Sequence, residues 1–509
     1  MKIKKLLFSR MVIVGFAILV QVVWVVNVIL KLTEYSIWVD FALTALSILA
    51  LLVVINKREN PAYKLAWTVP ILVFPLLGGI LYLLLGNKRP SAKMRAKIDK
   101  MMKKARPYII QDESIMEEIA KRDPKVKNQV QYLIDYADAP IYKNTKATYF
   151  KSGEENFPYM LEALRSAKHF IFMEYFIIDE GRMWGEILEI LKQKAAEGLD
   201  VRLMYDDVGC ATMLPYNYHN IIEGYGIKCE AFNHMVPIYS AVMNNRDHRK
   251  ILVIDGHTGF TGGINLADEY INEKERFGYW KDTGIMLKGD AVWGLTTMFL
   301  TMWNAFRPMD ENFEAYRPHT HYEGTFETDG YIQPYGDSPL DGETVGENVY
   351  LNIINGAEHY VYIFTPYLII DNEMMTALCL AAKRGVDVRI VTPNIPDKKL
   401  VFWLTQSYYG QLADAGVKVY QFTPGFIHAK CFVCDDKVAT VGTINMDYRS
   451  LYLHFECGVF LYDSSEVMKV KEDAQETIAR SHLMNGEVIN KSFVVRLTQA
   501  ILRLFAPLL

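Results

Sequence analysis

Cysteine is scarce in this sequence, and an excess of basic charge is absent beyond its first hundred residues. Six cysteines in 509 residues are too few for a disulfide scaffold, so we expect reduced thiols in a protein that faces the cytoplasm. Residues 1–106 carry 17 Lys and Arg against four Asp and Glu, a net charge of +13, which leaves −17 for the remainder. Because a nucleic-acid enzyme normally carries basic charge in its globular part, this distribution argues against a nucleic-acid partner.

Apolar residues are plentiful, and three long runs of them near the N-terminus predict a membrane anchor. Residues 11–30 are uncharged, and 20 residues are about the length that a helix needs to cross a hydrocarbon core of roughly 30 Å. A second run covers residues 36–56. The third, residues 65–86, is interrupted by Pro70 and Pro75, each of which removes a helical hydrogen bond. Because all three runs have basic flanks, which prefer the cytoplasm, we expect two crossings and a third segment that turns back; three crossings are the alternative.

Residues 1–86 thus form the predicted anchor, and two further segments have the pattern of membrane-surface helices. Residues 87–106 carry nine Lys and Arg and one Asp, with Ile98 and Met101 on what would be one apolar face. An interfacial helix on anionic lipid and an ordinary basic flank are both open here. In residues 487–509 apolar residues recur every three or four positions, which predicts a terminal amphipathic helix that packs on its own domain or on lipid.

Between these ends the chain alternates short apolar, β-rich runs with amphipathic helical runs, which is typical of an α/β fold. A strand–helix–strand pattern over residues 169–206 recurs over residues 359–394. Both helices are followed by a glycine, Gly198 and Gly385, which we expect to end them in a left-handed conformation. Internal duplication explains the recurrence most simply.

Each half of the duplication carries the same set of chemically active side chains. The spacing H-x-K-x4-D occurs at His248, Lys250 and Asp255, and again at His428, Lys430 and Asp435. Residues two apart on a strand point to one face, so each His and Lys should project together, with the Asp near a turn. A motif G-[GT]-I-N follows each copy and ends at Asn265 and Asn445. Two copies in a duplicated frame are a far stronger signal than one.

The paired motifs resemble the HKD signatures of the phospholipase D superfamily, over roughly residues 130–485. Together with the apolar N-terminal region, the sequences FGYWKDTG at residues 277–284 and NMDYRS at residues 445–450 resemble bacterial cardiolipin synthases in particular. The resemblance implies an α/β fold of two similar phospholipase D-like lobes, with mixed sheets flanked by helices and one active site between them. The lobes would cover residues 107–340 and 341–486. The anchor would place the protein in the bacterial cell membrane, with the catalytic domain in the cytoplasm.

A phosphodiester reaction needs a nucleophile, an acid for the leaving alkoxide and positive charge on the phosphoryl oxygens. Two His and two Lys supply these parts with no cofactor and no metal, one His being neutral and the other protonated near pH 7. The resemblance implies His248 as nucleophile and His428 as general acid, although the spacing does not distinguish them. It also implies supporting roles for Asp282 and Glu456, each orienting the histidine of the opposite half, and for Asn265 and Asn445 as donors to phosphoryl oxygens.

Some residues are assigned by position alone. Asp255 and Asp435 are expected to brace local turns and lysines rather than to transfer protons. Glu174, Tyr175 and Tyr367 fall at the ends of equivalent strands, where pocket residues collect, although ordinary packing there is equally open. Cys431-x-x-Cys434 and His319-x-His321 have metal-like spacing, but neither has a partner motif, so we expect core packing and surface histidines.

The expected reaction is phosphatidyl transfer between two phosphatidylglycerol molecules, giving cardiolipin and glycerol at an anionic membrane. Hydrolysis to phosphatidic acid and transfer to serine or another alcohol use the same machinery and are the alternatives. A non-catalytic scaffold is disfavoured because all six H, K and D residues are intact. The oligomeric state is left open.

Overall fold

The computed structural model describes most of the chain: residues 19, 22–23, 36–86, 91–233, 245–310, 312–340, 342–484 and 492–508. The span expected at residues 11–30 therefore lies almost entirely outside the described residues. The chain divides into two compact units, a smaller one of Met1–Pro90, Met235–Asn245 and Phe493–Leu509 and a larger one of Ser91–His234 and Arg246–Ser492.

The elements are numbered in chain order. The helices are α1 Ser36–Asn56, α2 Pro61–Val73, α3 Pro75–Leu85, α4 Ala92–Ala105, α5 Glu113–Arg122, α6 Pro124–Ala137, α7 Gly153–Ser166, α8 Arg182–Ala196, α9 Asp207–Cys210, α10 Tyr218–Glu223, α11 Val292–Phe306, α12 Val345–Gly356, α13 Asn372–Lys383, α14 Lys399–Asp414, α15 Tyr448–Tyr452, α16 Glu466–Ala479 and α17 Phe493–Phe505. The strands are β1 Thr145–Phe150, β2 Phe170–Tyr175, β3 Asp200–Asp206, β4 Lys228–Phe232, β5 Ile251–Ile254, β6 Thr258–Gly262, β7 Tyr279–Lys281, β8 Gly284–Gly289, β9 Tyr331–Asp337, β10 Tyr360–Phe364, β11 Leu368–Ile369, β12 Asp387–Pro393, β13 Lys418–Phe422, β14 Gly425–Ile427, β15 Cys431–Cys434, β16 Val438–Gly442, β17 Met446–Asp447, β18 Glu456–Tyr462 and β19 Ser481–Leu483.

The smaller unit consists of α1, α2, α3 and α17. Its third apolar run is broken at Phe74, where α2 ends and α3 begins. A Cβ at Gly78 would lie 2.2 Å from the carbonyl oxygen of Pro70, so only glycine allows this close approach of α3 to α2. The amphipathic helix α17 lies against α2, and Leu508 packs on the small cluster around Trp67. No helix in the part of the chain that the structure describes is both long enough and apolar enough to span a membrane.

The basic helix α4 belongs to the larger unit, and its apolar face is covered by protein. Met94, Ile98 and Met101 are buried in the main hydrophobic cluster, against α11. The Nζ atom of Lys104 donates to the carbonyl oxygen of Asp310 at 2.6 Å. The apolar face of α4 is therefore occupied by α11, and an interfacial role for this helix stays a prediction that depends on its other face. The face that remains exposed is basic.

Two similar mixed sheets form the larger unit. The first has the strand order β1-β8-β6-β5-β2-β3-β4 and the second β19-β13-β12-β10-β15-β16-β18-β9. In each, three neighbouring strands are parallel, β2, β3 and β4 or β10, β12 and β13, and the pairs beyond them are antiparallel. Strand β9 lies before residue 341 but pairs with β18, so the boundary expected at residue 340 cuts one strand from the second sheet.

The duplication extends to the local geometry. The two predicted strand–helix–strand segments are β2-α8-β3 and β10-α13-β12. Gly198 and Gly385 follow the two helices with φ angles of 92° and 95°, so both glycines do adopt the left-handed conformation expected of helix ends. The main core lies between the lobes: Phe172 and Leu287 of the first sheet and Val433 of the second belong to one hydrophobic cluster.

Candidate active site

Each motif histidine lies in an extended stretch immediately before a strand, and each is held by the other lobe. The expected strand begins one residue after the lysine, as β5 and β15. Before it, the backbone N–H of His248 donates to the carbonyl oxygen of Phe455 at 2.9 Å. The N–H of His428 donates to the carbonyl oxygen of Lys281 at 2.7 Å. The two motifs therefore depend on the contact between lobes for their backbone position.

A carboxylate from the opposite lobe binds each imidazole. Nδ1 of His248 lies 2.9 Å from both carboxylate oxygens of Glu456. Nδ1 of His428 lies 2.7 Å from Oδ2 of Asp282. All four side chains are buried. Because each carboxylate fixes Nδ1 as the proton-bearing atom, the lone pair of each ring lies on Nε2. In His428 this atom lies within hydrogen-bond distance of Nζ of Lys430.

The two carboxylates are ionised although they are buried. Burial is the largest influence and opposes ionisation, but the interactions of His248 and His454 together outweigh it and lower the pKa of Glu456. His428, Lys430 and the N–H of Thr283 together lower the pKa of Asp282 in the same way. Glu456 also accepts a hydrogen bond from the hydroxyl of Thr443. At the equivalent position in the first lobe, a Cβ on Gly263 would lie 2.0 Å from Oδ1 of Asp282. The second residue of the G-[GT]-I-N motif therefore differs between the lobes for a local reason. Thr443 donates a hydrogen bond to Glu456, whereas Asp282 lies so close to Gly263 that no side chain fits there.

Both imidazoles are neutral in the free site. Burial lowers the pKa of His248 to about 3, and burial together with Lys430 lowers that of His428 to about 4. Burial thus favours the neutral form of both rings in the unliganded site, and the expected division into one neutral and one protonated ring stays a prediction for the site with substrate bound. A neutral ring suits a nucleophile, whereas a general acid must gain its proton when an anionic substrate arrives.

The two lysines are also buried and lie close enough to influence each other. Nζ of Lys250 donates to the carbonyl oxygen of His248 at 2.6 Å, and Nζ of Lys430 lies 3.0 Å from Nε2 of His428. Burial and the charge of Lys430 lower the pKa of Lys250 to about 7, and burial lowers that of Lys430 to about 8. In their protonated forms the two lysines, each beside its motif histidine, offer donors for a phosphate anion.

The motif aspartates lie away from the imidazoles. Asp255 accepts backbone N–H bonds from residues 168–170 at 2.8–2.9 Å, and Asp435 accepts them from residues 358–360 at 2.7–2.9 Å. Both have positive φ angles, 50° and 53°. They fix the starts of β2 and β10, so the interpretation as turn braces fits these contacts. Whether either aspartate also takes part in catalysis, as its place in the motif suggests, stays a prediction.

The motif asparagines are engaged within their own lobes. Oδ1 of Asn265 accepts the N–H of Ile177 at 3.0 Å, and its Nδ2 donates to the hydroxyl of Tyr270 at 2.7 Å. Nδ2 of Asn445 donates to the hydroxyl of Ser450 at 3.0 Å. The expected donation to phosphoryl oxygens would thus have to come from the second hydrogen of each amide.

Of the three expected pocket residues, two lie in the interior. Glu174 forms an ion pair with Arg249 at 2.5 Å, on the face of the sheet that also carries Phe172. Tyr175 is buried in the other cluster of the first lobe. Both side chains are enclosed by neighbouring core residues, which favours a structural role, and a part in the pocket stays a prediction. Tyr367 donates its hydroxyl to Asp397 at 2.5 Å.

The two metal-like sequence patterns have ordinary partners. Cys431 and Cys434 are buried, unpaired thiols, and burial raises the pKa of both. Nε2 of His319 lies 2.9 Å from Asp290, and Nε2 of His321 lies 2.9 Å from the carbonyl oxygen of Ala315. Neither pair belongs to a cluster of three ligands among the described residues.

One histidine beside the site was not predicted from the sequence. His454 lies with its ring centroid 5.7 Å from that of His248, and its Nδ1 is 3.7 Å from Oε1 of Glu456. The available signal was its position two residues before Glu456, which places both side chains on one face of an extended chain. Phe176, with its ring centroid 4.9 Å from that of His248, completes this side of the site.

Comparison with known proteins gives consistent matches over most of the chain. The family described as "Cardiolipin synthase, PLD-like domain" matches residues 160–285 and 350–478, and "Phospholipase D-nuclease N-terminal" matches residues 45–87. An uncharacterized protein of Streptococcus mutans is 46% identical over 90% of this chain and 99% of its own. A cardiolipin synthase of Halalkalibacterium halodurans is 33% identical over 93% of this chain and 96% of its own. The crystal structure of phosphatidylserine synthase from Haemophilus influenzae shares the fold, with a TM-score of 0.54 at 16% identity, over 75% of this chain and 97% of that one.

Proposed function

Because the chain belongs to the cardiolipin synthase family of phospholipase D-like proteins, we propose that it transfers a phosphatidyl group between two phosphatidylglycerol molecules, giving cardiolipin and glycerol. The observation that carries the proposal is the reciprocal pairing of His248 with Glu456 and of His428 with Asp282, each pair drawn from both lobes. In this proposal one imidazole attacks the phosphorus atom and the other transfers protons to and from the glycerol oxygens.

In the first step Nε2 of His248 attacks the phosphorus of one phosphatidylglycerol. A P–N bond forms and the P–O bond to the terminal glycerol breaks. The departing alkoxide takes a proton from His428. The incoming phosphodiester anion raises the proton affinity of His428, which supplies the acid that the free site does not hold. Glu456 keeps Nδ1 of His248 protonated and stabilises the positive charge on the phosphorylated ring.

In the second step the other phosphatidylglycerol enters as the acceptor. His428, now neutral, removes the proton from its terminal hydroxyl, and the oxygen attacks the phosphorus. The P–N bond breaks, cardiolipin leaves and His248 is regenerated. Lys250 and Lys430 contact the phosphoryl oxygens that gain charge in both transition states, where positive groups are worth most.

The membrane location is part of the proposal. Both substrates are lipids, so confinement to a bilayer raises their effective concentration at the site. The smaller unit supports this, because Trp38, Phe41, Phe493 and Leu497 are exposed large apolar side chains. The exposed lysines of α4 provide attraction to an anionic leaflet. We propose residues 1–86 as the anchor in the bacterial cell membrane, with the larger unit on the cytoplasmic side.

The proposed reaction is tested with the purified protein and phosphatidylglycerol as the sole lipid, with the products resolved by mass spectrometry. We expect cardiolipin and free glycerol in equal amounts. Phosphatidic acid alone would identify a hydrolase, and phosphatidylserine formed in preference to cardiolipin when serine is added would identify a different acceptor. Either result would overturn the proposal.

A further inference from the structure

One buried side chain beside the nucleophile has no part in the proposed reaction. The side chain of His454 is only 10% exposed. Its Nδ1 lies 3.7 Å from Oε1 of Glu456, an ion-pair distance that is too long for a good hydrogen bond. Its Nε2 has no hydrogen-bond partner among the described residues. A buried imidazole normally pairs at least one nitrogen, because an unpaired polar group costs free energy in the interior. With Nδ1 facing a carboxylate and Nε2 without a partner, the ring of His454 is placed to serve as a metal ligand.

The surroundings of His454 favour a metal ion. One ring nitrogen each from His248 and His454 and one carboxylate oxygen from Glu456 lie within 4.8 Å of one another. Two imidazoles and one carboxylate are the ligand set that zinc uses in sites with an open fourth position. Imidazole nitrogen also favours zinc over magnesium or calcium, which prefer oxygen.

From this cluster we propose that His248, His454 and Glu456 form a Zn²⁺ site whose occupation stops phosphatidyl transfer, the inhibition resting on the proposed function. If Zn²⁺ binds Nε2 of His248, it takes the lone pair that attacks phosphorus. If it binds Nδ1, it replaces the hydrogen bond to Glu456 and withdraws electron density from the ring. Both arrangements remove the nucleophile. The sequence spacing does not indicate this metal site, because His248 meets His454 and Glu456 only when the two lobes pack.

Binding is measured directly, and independently of turnover, with the full-length protein in detergent after removal of metals. Competition with a chromophoric zinc chelator gives the stoichiometry and the affinity. We expect one Zn²⁺ per chain, and an affinity at least about 100-fold weaker in His454→Gln, since the loss of a ligand should exceed the cost of losing an outer partner. His482→Gln, at an exposed histidine, is the matched control and should bind as the unmodified protein does. Equal binding by His454→Gln and the unmodified protein would overturn the site.

A second measurement needs no variant. Diethyl pyrocarbonate modifies free imidazole nitrogens, and peptide mass spectrometry locates each modified histidine. We expect Zn²⁺ to protect His248 and His454 of the unmodified protein and to leave His482 reactive. Because the reagent reaches these enclosed nitrogens only when the site opens, the reaction is followed until His454 of the metal-free protein is measurably modified. An equal, measurable rate for His454 with and without Zn²⁺ would overturn the site, whether or not the His454→Gln variant folds.

The regulatory part is tested by the transfer rate from phosphatidylglycerol as Zn²⁺ is added. We expect the rate to fall with the same midpoint as the binding curve. Binding with an unchanged rate would overturn the inhibition. If no cardiolipin is formed under any condition, the proposed function fails, whereas the binding and protection measurements still decide the metal site.

Discussion

At His248 and His428, burial affects proton affinity more than the carboxylate partner does. The H-x-K spacing identified both histidines and both lysines from the sequence, because the same spacing occurs at the equivalent place in each half of the duplication. Their charge states could not be predicted in the same way. A pKa depends on how completely the second lobe excludes water from the first, and neither the spacing nor the resemblance contains that information.

Loss of either histidine should stop the reaction. We expect His248→Ala and His428→Ala each to reduce the transfer rate at least about 10³-fold, since one removes the nucleophile and the other the proton-transfer group. The rate is measured as cardiolipin formed from phosphatidylglycerol, with circular dichroism to confirm folding. His482→Ala is the control. Substantial turnover by either motif variant would be incompatible with a site shared between the lobes.

The lysines predict an alkaline limit for the free enzyme. Lys250 and Lys430, with pKa values of about 7 and 8, lose their charge as pH rises through that range, and the attraction for phosphate is lost with it. We therefore expect kcat/KM, which reports the free enzyme, to fall above about pH 8. The bound phosphate raises both pKa values, so kcat should persist to higher pH. A kcat/KM that rises steadily to pH 10 would exclude charged lysines as the phosphate receptor.

At the scale of secondary structure, the duplicated strand–helix–strand segments and the glycines after their helices follow from the sequence pattern. The residues at which β5 and β15 begin do not follow from it. The backbone N–H groups of His248 and His428 bond to the opposite lobe, so the strands begin only after the motif lysines. The hydrogen-bond partners of Asp255 and Asp435 could not be predicted from the sequence either. Their spacing from the histidine placed them near a turn, but their backbone partners belong to residues about 80 positions earlier in the chain.

Asp435→Asn should lower stability rather than chemistry. Three backbone N–H bonds outweigh burial and lower the pKa of Asp435, so the ionised form stabilises the fold above its unfolded pKa and this stability is lost as pH falls. We expect a loss of about 1–3 kcal/mol at pH 7, measured by denaturant unfolding, with turnover per folded molecule retained. The difference from the unmodified protein should shrink towards pH 3. Asp414→Asn, on an exposed helix end, is the control. A large loss of turnover without a loss of stability would mean that Asp435 takes part in catalysis.

At the scale of the whole molecule, the two lobes and their mixed sheets were predictable because the chain repeats itself. The packing partner of α4 was not predictable, since an apolar face of Met and Ile can pack equally well on protein or on a membrane. Its partner α11 lies about 200 residues later, and no local pattern links the two. His454 was missed for a related reason, because its neighbour His248 belongs to the other lobe.

The exposed face of α4 should contribute to membrane binding through charge alone. We expect replacement by Gln of Lys93, Lys97, Lys100 and Lys103 to weaken binding of the protein to phosphatidylglycerol vesicles, by about 1 kcal/mol for each lysine at low salt. Flotation at increasing salt should abolish the difference, because salt screens exposed charge. The control replaces four exposed lysines elsewhere: Lys121, Lys168, Lys383 and Lys399. An equal loss in the control would mean that net charge matters and α4 does not.

The covalent intermediate tests the central claim, one site in which His248 carries the phosphatidyl group and His428 transfers the protons. The measurement uses a phosphatidyl p-nitrophenol analogue, whose good leaving group needs no acid, and maps the trapped adduct by mass spectrometry. We predict that His428→Ala releases a burst of p-nitrophenol and retains the phosphatidyl group on His248, because the second step lacks its base. His248→Ala should give neither. An adduct on His428 in the unmodified protein, or turnover with no adduct on either histidine, would contradict the account.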